Sequence, residues 1–151
     1  MALTSIATAT WQGSLSDGTG ATSLESSGEG PFPLRWTARS PEAFNGALPE
    51  AVLPDGTTPE DFLGAAHAAC FSMVISQMLA EAGFCVEVVA TTATVSFTPG
   101  IGVARVHLRT IASVPDLTPI GFQRIAREAR DNCPLSLALA GTPVTLEATL
   151  R

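Results

Sequence analysis

Between Thr58 and Gly83 the chain carries one helix-length segment whose apolar residues point in nearly every direction, and that segment limits the folds open to it. Thr58 is a good N-cap, Pro59 suits the first helical position, and Glu60 and Asp61 complement the positive end of a helix. Gly83 supplies the stop. Phe62, Leu63, Phe71, Met73, Val74, Ile75, Met78 and Leu79 surround most of the circumference between them. A helix apolar all round has to be covered on all sides, which predicts a central buried helix. No stretch reaches the ~18 uninterrupted apolar residues of a membrane span, so no membrane partner is expected.

The flanking sequence reads mainly as strands. Residues 3–11 and 20–27, separated by a Gly/Asp turn at Ser16–Gly20, predict a hairpin. Residues 33–39 predict a third strand, with Leu34, Trp36 and Ala38 on one face and Arg35 and Arg39 on the other. Residues 40–57 read as a long loop of the functional kind. Residues 85–97 and 103–114 are β-branched runs joined by Thr98-Pro-Gly-Ile-Gly102, a second hairpin. Thr118-Pro119 opens an amphipathic helix through Phe122, Ile125, Ala126 and Ala129. Cys133-Pro134 starts a short helix to about Ala140, and residues 143–149 form a last strand. The order βββ–α–ββ–αα–β predicts an α+β fold in one domain spanning 1–151.

Composition excludes several functions. The net charge of −6 disfavours nucleic acid and anionic membranes as partners. All eight basic residues are Arg, so lysine nucleophiles, Schiff bases and Walker-type phosphate loops are ruled out. Charged residues make up only 15%, which hints at surface buried in an oligomer. The N-terminal MALTSIATATW lacks the features of a signal peptide, and three cysteines are an odd number for a disulfide framework. A reduced, cytoplasmic protein is expected.

The thiols are the candidate chemistry. A free cysteine is usually just a small buried hydrophobe, but Cys70 is flanked by Ala65, Ala66, Ala68 and Ala69, which leave room beside a sulfur. It lies about three turns into its helix, beyond the reach of the helix dipole, so a thiolate there needs a cation from elsewhere. Arg35 and Arg39 are the only basic residues upstream of the helix. His67, at i−3, could act as a base but reads more readily as a satisfied buried histidine. Cys133 sits at a helix start, where exposed N–H groups favour a thiolate, and Cys85 reads as structural. The spacing of residues 67, 70, 107 and 133 matches no usual zinc pattern, so neither metal nor cofactor is expected.

The segment Thr58-Pro-Glu-Asp-Phe-Leu-Gly-Ala-Ala-His-Ala-Ala-Cys-Phe-Ser-Met73, followed by Asn132-Cys-Pro-Leu-Ser136, resembles the OsmC/Ohr family of thiol peroxidases, and the His before the first Cys resembles the OsmC branch. The resemblance extends from Ala7–Gly13 to Leu146–Leu150. It implies an OsmC-like fold of antiparallel sheets around a central helix in an intertwined homodimer. It also implies an organic hydroperoxide reductase, with Cys70 as the peroxidatic thiol and Cys133 as the resolving thiol. Arg39 matches the arginine that stabilises the thiolate, with Arg35 as the other candidate, and Glu60 matches the glutamate paired with it. A dithiol reductant, dihydrolipoyl in this family, reopens the Cys70–Cys133 disulfide. Trp36, Phe71, Met73 and Met78 are candidate walls for an alkyl hydroperoxide.

Two other readings compete: a hydrolase using Cys70 with His67 or His107 as base, and a non-catalytic stress-related binding protein with inert thiols. Helix geometry adds one expectation. Glu60 and Cys70 are ten residues apart on one helix, about 15 Å along the axis and about 80° apart around it. If both serve one site, Glu60 has to come from a second copy of the chain, giving a homodimer with two composite sites.

Overall fold

The computed structural model describes residues 3–39 and 56–151. The chain divides into two compact units, residues 1–59 and 60–151. Most of the loop expected over 40–57 lies outside the described residues.

The first unit is an antiparallel sheet of β1 (Thr8–Gln12), β2 (Thr19–Leu24) and β3 (Glu29–Leu34), in that order. The β1–β2 turn closes through the Gly18 N–H, which donates to the Ser14 carbonyl at 2.9 Å. A Cβ on Gly18 would lie 2.2 Å from that same oxygen, so only glycine fits there. The third strand lies earlier than the 33–39 expected. Pro31 and Pro33 fall inside β3, which is tolerable because β3 is an edge strand and a proline there removes no ladder bond. Trp36–Arg39 instead forms a 3₁₀ helix. The two-face alternation expected of Arg35 and Arg39 therefore does not hold.

The second unit holds α1 (Pro59–Glu81, whose first residue closes the preceding unit), β4 (Val88–Thr98), β5 (Gly102–Ser113), α2 (Pro119–Asn132), α3 (Pro134–Ala138) and β6 (Val144–Leu150). α1 ends as its sequence predicts. Gly83 adopts a φ of 88°, the Phe84 N–H bonds the Leu79 carbonyl, and the Gly83 N–H bonds that of Ala80, which is the Schellman pattern. α2 starts at an N-cap, where the Thr118 hydroxyl accepts from the Gly121 N–H at 3.1 Å and Pro119 follows. β4 and β5 form the expected hairpin. β6 pairs with β5 in parallel, so this sheet is mixed where antiparallel sheets were expected. The parallel pairing follows from connectivity: α2 and α3 form the crossover that a parallel neighbour needs.

The core gathers Phe71, Ile75 and Leu79 of α1, Val106, Leu108 and Ala112 of β5, and Phe122, Ile125, Ala126 and Ala129 of α2. Phe71, Ile75 and Leu79 are spaced one turn apart and wholly buried, each contributing roughly 1.5–3 kcal/mol. The opposite face of α1 is open. Ala65, Ala66, Ala69, Met73, Gln77 and Ala80 are exposed, Met73 by 70%. Among the described residues of this unit, α1 is thus not buried on all sides. At 23 residues, with a mean hydropathy of 1.5 over its most apolar 18-residue window, α1 is long and apolar enough to cross a membrane, yet one face of it builds the core of this unit.

Candidate functional site

The second unit brings two thiols together. Cys70 stands midway along α1, with Ala66 and Ala69 beside it on the open face of the helix. Cys133 is the single residue between α2 and α3, ending one helix and starting the next, and it is wholly buried in the core. Packing of α2 against the core fixes where that junction falls. The Cys133 thiol lies 3.5 Å from the Cys70 sulfur and donates a hydrogen bond to it. The three cysteines are all free, and Cys85, ahead of β4, is exposed.

Polar groups from the α3 segment converge on α1. The Leu135 backbone N–H donates to the Cys70 sulfur and favours its thiolate. Burial acts more strongly the other way, and the neighbouring Cys133 adds to it, so the Cys70 thiol is held above its ordinary pKa. His67, one turn before Cys70, is fully buried. Its Nε2 is 3.0 Å from the Ser136 hydroxyl, and its Nδ1 is buried without a hydrogen-bond partner among the described residues. Burial pushes its pKa down, favouring the neutral imidazole. The histidine is therefore only half satisfied, where a satisfied one was expected.

His107 belongs to the other side of the sheet. On β5 it alternates with the core-facing Val106 and Leu108. Its Nδ1 is 2.8 Å from the Thr145 hydroxyl, and its Nε2 is 4.0 Å from Glu147. Cys70 packs against the opposite, core-facing side, so His107 is not a base for its thiol. Glu60 sits in the first turn of an α1 that runs unbroken through Cys70. The ten-residue, about 15 Å separation therefore stands, and the carboxylate does not reach the thiol on its own helix.

Arg39 and Arg35 line a cavity within the first unit, about 230 Å³, together with Trp11, Leu15, Leu34 and Trp36. The Arg39 guanidinium lies 5.0 Å from the centre of the Trp36 ring, a cation–π contact. Of the other expected pocket walls, Phe71 is plain core and Met73 stands exposed. The sequence reading missed the Leu135 N–H and the His67–Ser136 bond. A backbone donor leaves no mark on residue identity. Ser136 could have been found by its offset, three residues after Cys133 just as His67 is three before Cys70.

A family model described as OsmC-like protein matches residues 53–147. The peroxiredoxin OsmC of Escherichia coli (strain K12) is 35% identical over 144 residues, spanning 93% of this chain and 92% of that protein. Among solved structures, an organic hydroperoxide resistance protein OsmC from Legionella pneumophila is 25% identical, with a TM-score of 0.63 covering 98% of this chain and 96% of its own. An OsmC-like protein from Mycoplasma pneumoniae superposes with a TM-score of 0.71 over 99% of both chains at 16% identity, a likeness of fold alone.

Proposed function

The chain belongs to the OsmC-like protein family, and from that premise we propose that it is a two-cysteine peroxidase that reduces organic hydroperoxides in the cytoplasm. The observation that carries this reading is the 3.5 Å approach of two thiols 63 residues apart in sequence. The curated relative's name, peroxiredoxin, supports the same chemistry.

The Cys70 thiolate attacks the distal oxygen of the hydroperoxide. The O–O bond breaks, the alkoxide leaves with a proton as an alcohol, and Cys70 becomes a sulfenic acid. The Cys133 sulfur then attacks the Cys70 sulfur and water leaves, giving a disulfide and blocking over-oxidation. Closing a 3.5 Å gap to a bond of about 2.05 Å needs about 1.5 Å of approach, within reach of a small shift of the five-residue α3. A dithiol reductant, of the dihydrolipoyl class, exchanges with the disulfide and restores both thiols.

The thiolate needs a cation, and the family resemblance points to Arg39 or Arg35. Of the two we assign Arg39 the stabilising role, with Glu60 as its carboxylate. Because Glu60 cannot reach the Cys70 of its own helix, a second copy of the chain supplies it, with Arg39 crossing alongside, in a homodimer of two composite sites. The open face of α1, with Ala66, Ala69 and Met73 exposed, supports such a cover.

Thiol counting after one equivalent of an organic hydroperoxide tests the reading. Loss of two of the three thiols is expected. No loss would indicate an inert binding protein, and ester cleavage with thiols intact would indicate a hydrolase.

A further inference from the structure

The segment that carries Cys133 is short, and its polar contacts run to α1. α3 has five residues, no side-chain cap and no buried residue of its own. Leu135 packs on the core, whereas Leu137 is exposed and borders a groove of about 340 Å³. Toward α1 three contacts converge: Cys133 on Cys70, the Leu135 N–H on the same sulfur, and Ser136 on His67. The first two end on the sulfur that changes chemically during turnover. Only the Ser136–His67 bond is independent of it.

That bond sits symmetrically, one residue three before Cys70 and the other three after Cys133, and its histidine leaves Nδ1 buried and unpaired among the described residues. A buried polar atom left without a partner is destabilising. An apolar residue would fill the same core position without that cost. We infer that His67 is a positioning residue for disulfide closure, acting through Ser136 to hold the α3 segment so that Cys133 stays within reach of Cys70. This rests on the reading that Cys70 and Cys133 pair. It adds a residue whose task is confined to the closing step, not to attack on peroxide.

Closure can be timed without peroxide, using Ellman's reagent on the chain carrying Cys85→Ser. Cys70 attacks the aromatic disulfide and releases one thionitrobenzoate, leaving a mixed disulfide. Cys133 then attacks the Cys70 sulfur of that mixed disulfide, releasing a second thionitrobenzoate and a proton. The second release is the closing step. Ser136→Ala, which removes one oxygen from a half-buried site, should slow the second release about tenfold or more and leave the first unchanged, since small misplacements carry large rate costs. Ser136→Thr, which keeps the hydroxyl, should recover most of the rate. His67→Leu should match Ser136→Ala, the double variant should be no slower than either single one, and His67→Gln should recover part of the rate.

Unchanged second release in Ser136→Ala overturns the inference, as does a double variant whose losses multiply. Should His67→Leu fail to fold, the Ser136 pair decides the matter alone. If hydroperoxide leaves the wild-type thiols intact while Ser136→Ala still slows closure, the peroxidase reading falls and the positioning role stands.

Discussion

Acidification should weaken this fold through His67 as the pH falls below about 6.5. An unfolded imidazole titrates near 6.5 and takes up a proton as the pH falls through that value. In the folded chain His67 is wholly buried and its pKa is lowered, so the native state stays neutral over a lower range. Protons bound by the unfolded state and refused by the native state pull the equilibrium toward unfolding. Stability is therefore fully present above 6.5 and is lost as the pH falls below it, until the lowered folded pKa is passed. The slope for one proton cannot exceed about 1.4 kcal/mol per pH unit, so the loss is gradual. Carboxylates also titrate toward pH 5, so the measurement is a difference. Urea unfolding of wild type and His67→Gln, both reduced, should be compared across pH 5 to pH 7.5. Wild type should lose more stability than the variant on acidification, with the gap opening below about 6.5. Parallel curves would refute the reasoning and mean that His67 gains a proton as easily folded as unfolded.

Three further outcomes follow from the same geometry. Cys133→Ser should consume about one equivalent of hydroperoxide per Cys70, then stall and over-oxidise, whereas Cys70→Ser should consume none; normal turnover of Cys133→Ser with a dithiol would remove its resolving role. Phe71→Ala, at a wholly buried site, should cost about 3–5 kcal/mol in urea unfolding, and a loss below about 1 kcal/mol would mean the site is not part of the core. Mixing Cys70→Ser with Glu60→Ala subunits should restore activity, because one site of the heterodimer regains both residues; no recovery despite confirmed subunit exchange would place Glu60 elsewhere.

The helices were legible because their ends are written in residue type. Thr118-Pro119 and Gly83 behave as the cap and stop they resemble. The second hairpin was legible from β-branched alternation around Thr98–Gly102. The third strand lies earlier than expected because the alternation of Leu34, Trp36 and Ala38 reads as a strand where Trp36–Arg39 winds into a 3₁₀ helix, and Pro31 argues against a strand unless it is known to lie at a sheet edge. The parallel pairing of β6 with β5 was hidden for the same reason, since no local pattern distinguishes a parallel neighbour from an antiparallel one in so short a strand. α1 misled in an instructive way: its apolar circumference demands cover, but among the described residues of its unit full burial is confined to the face of Phe71, Ile75 and Leu79 with Gly64 and His67. At the site, no periodicity links thiols 63 residues apart, and the pairing of Cys70 with Cys133 came from the family resemblance. The His67–Ser136 bond joins two residues 69 apart and is visible only once the core has formed.

The most direct measurement is the identity of the oxidised thiols. The protein would be treated with one equivalent of cumene hydroperoxide, digested without reduction, and its linked peptides read by mass spectrometry. The expected product is a single species linking Cys70 to Cys133, two hydrogens lighter than the reduced pair, with Cys85 still free and one cumyl alcohol formed per link. Three intact thiols, or a link that runs through Cys85, would contradict the two-cysteine mechanism.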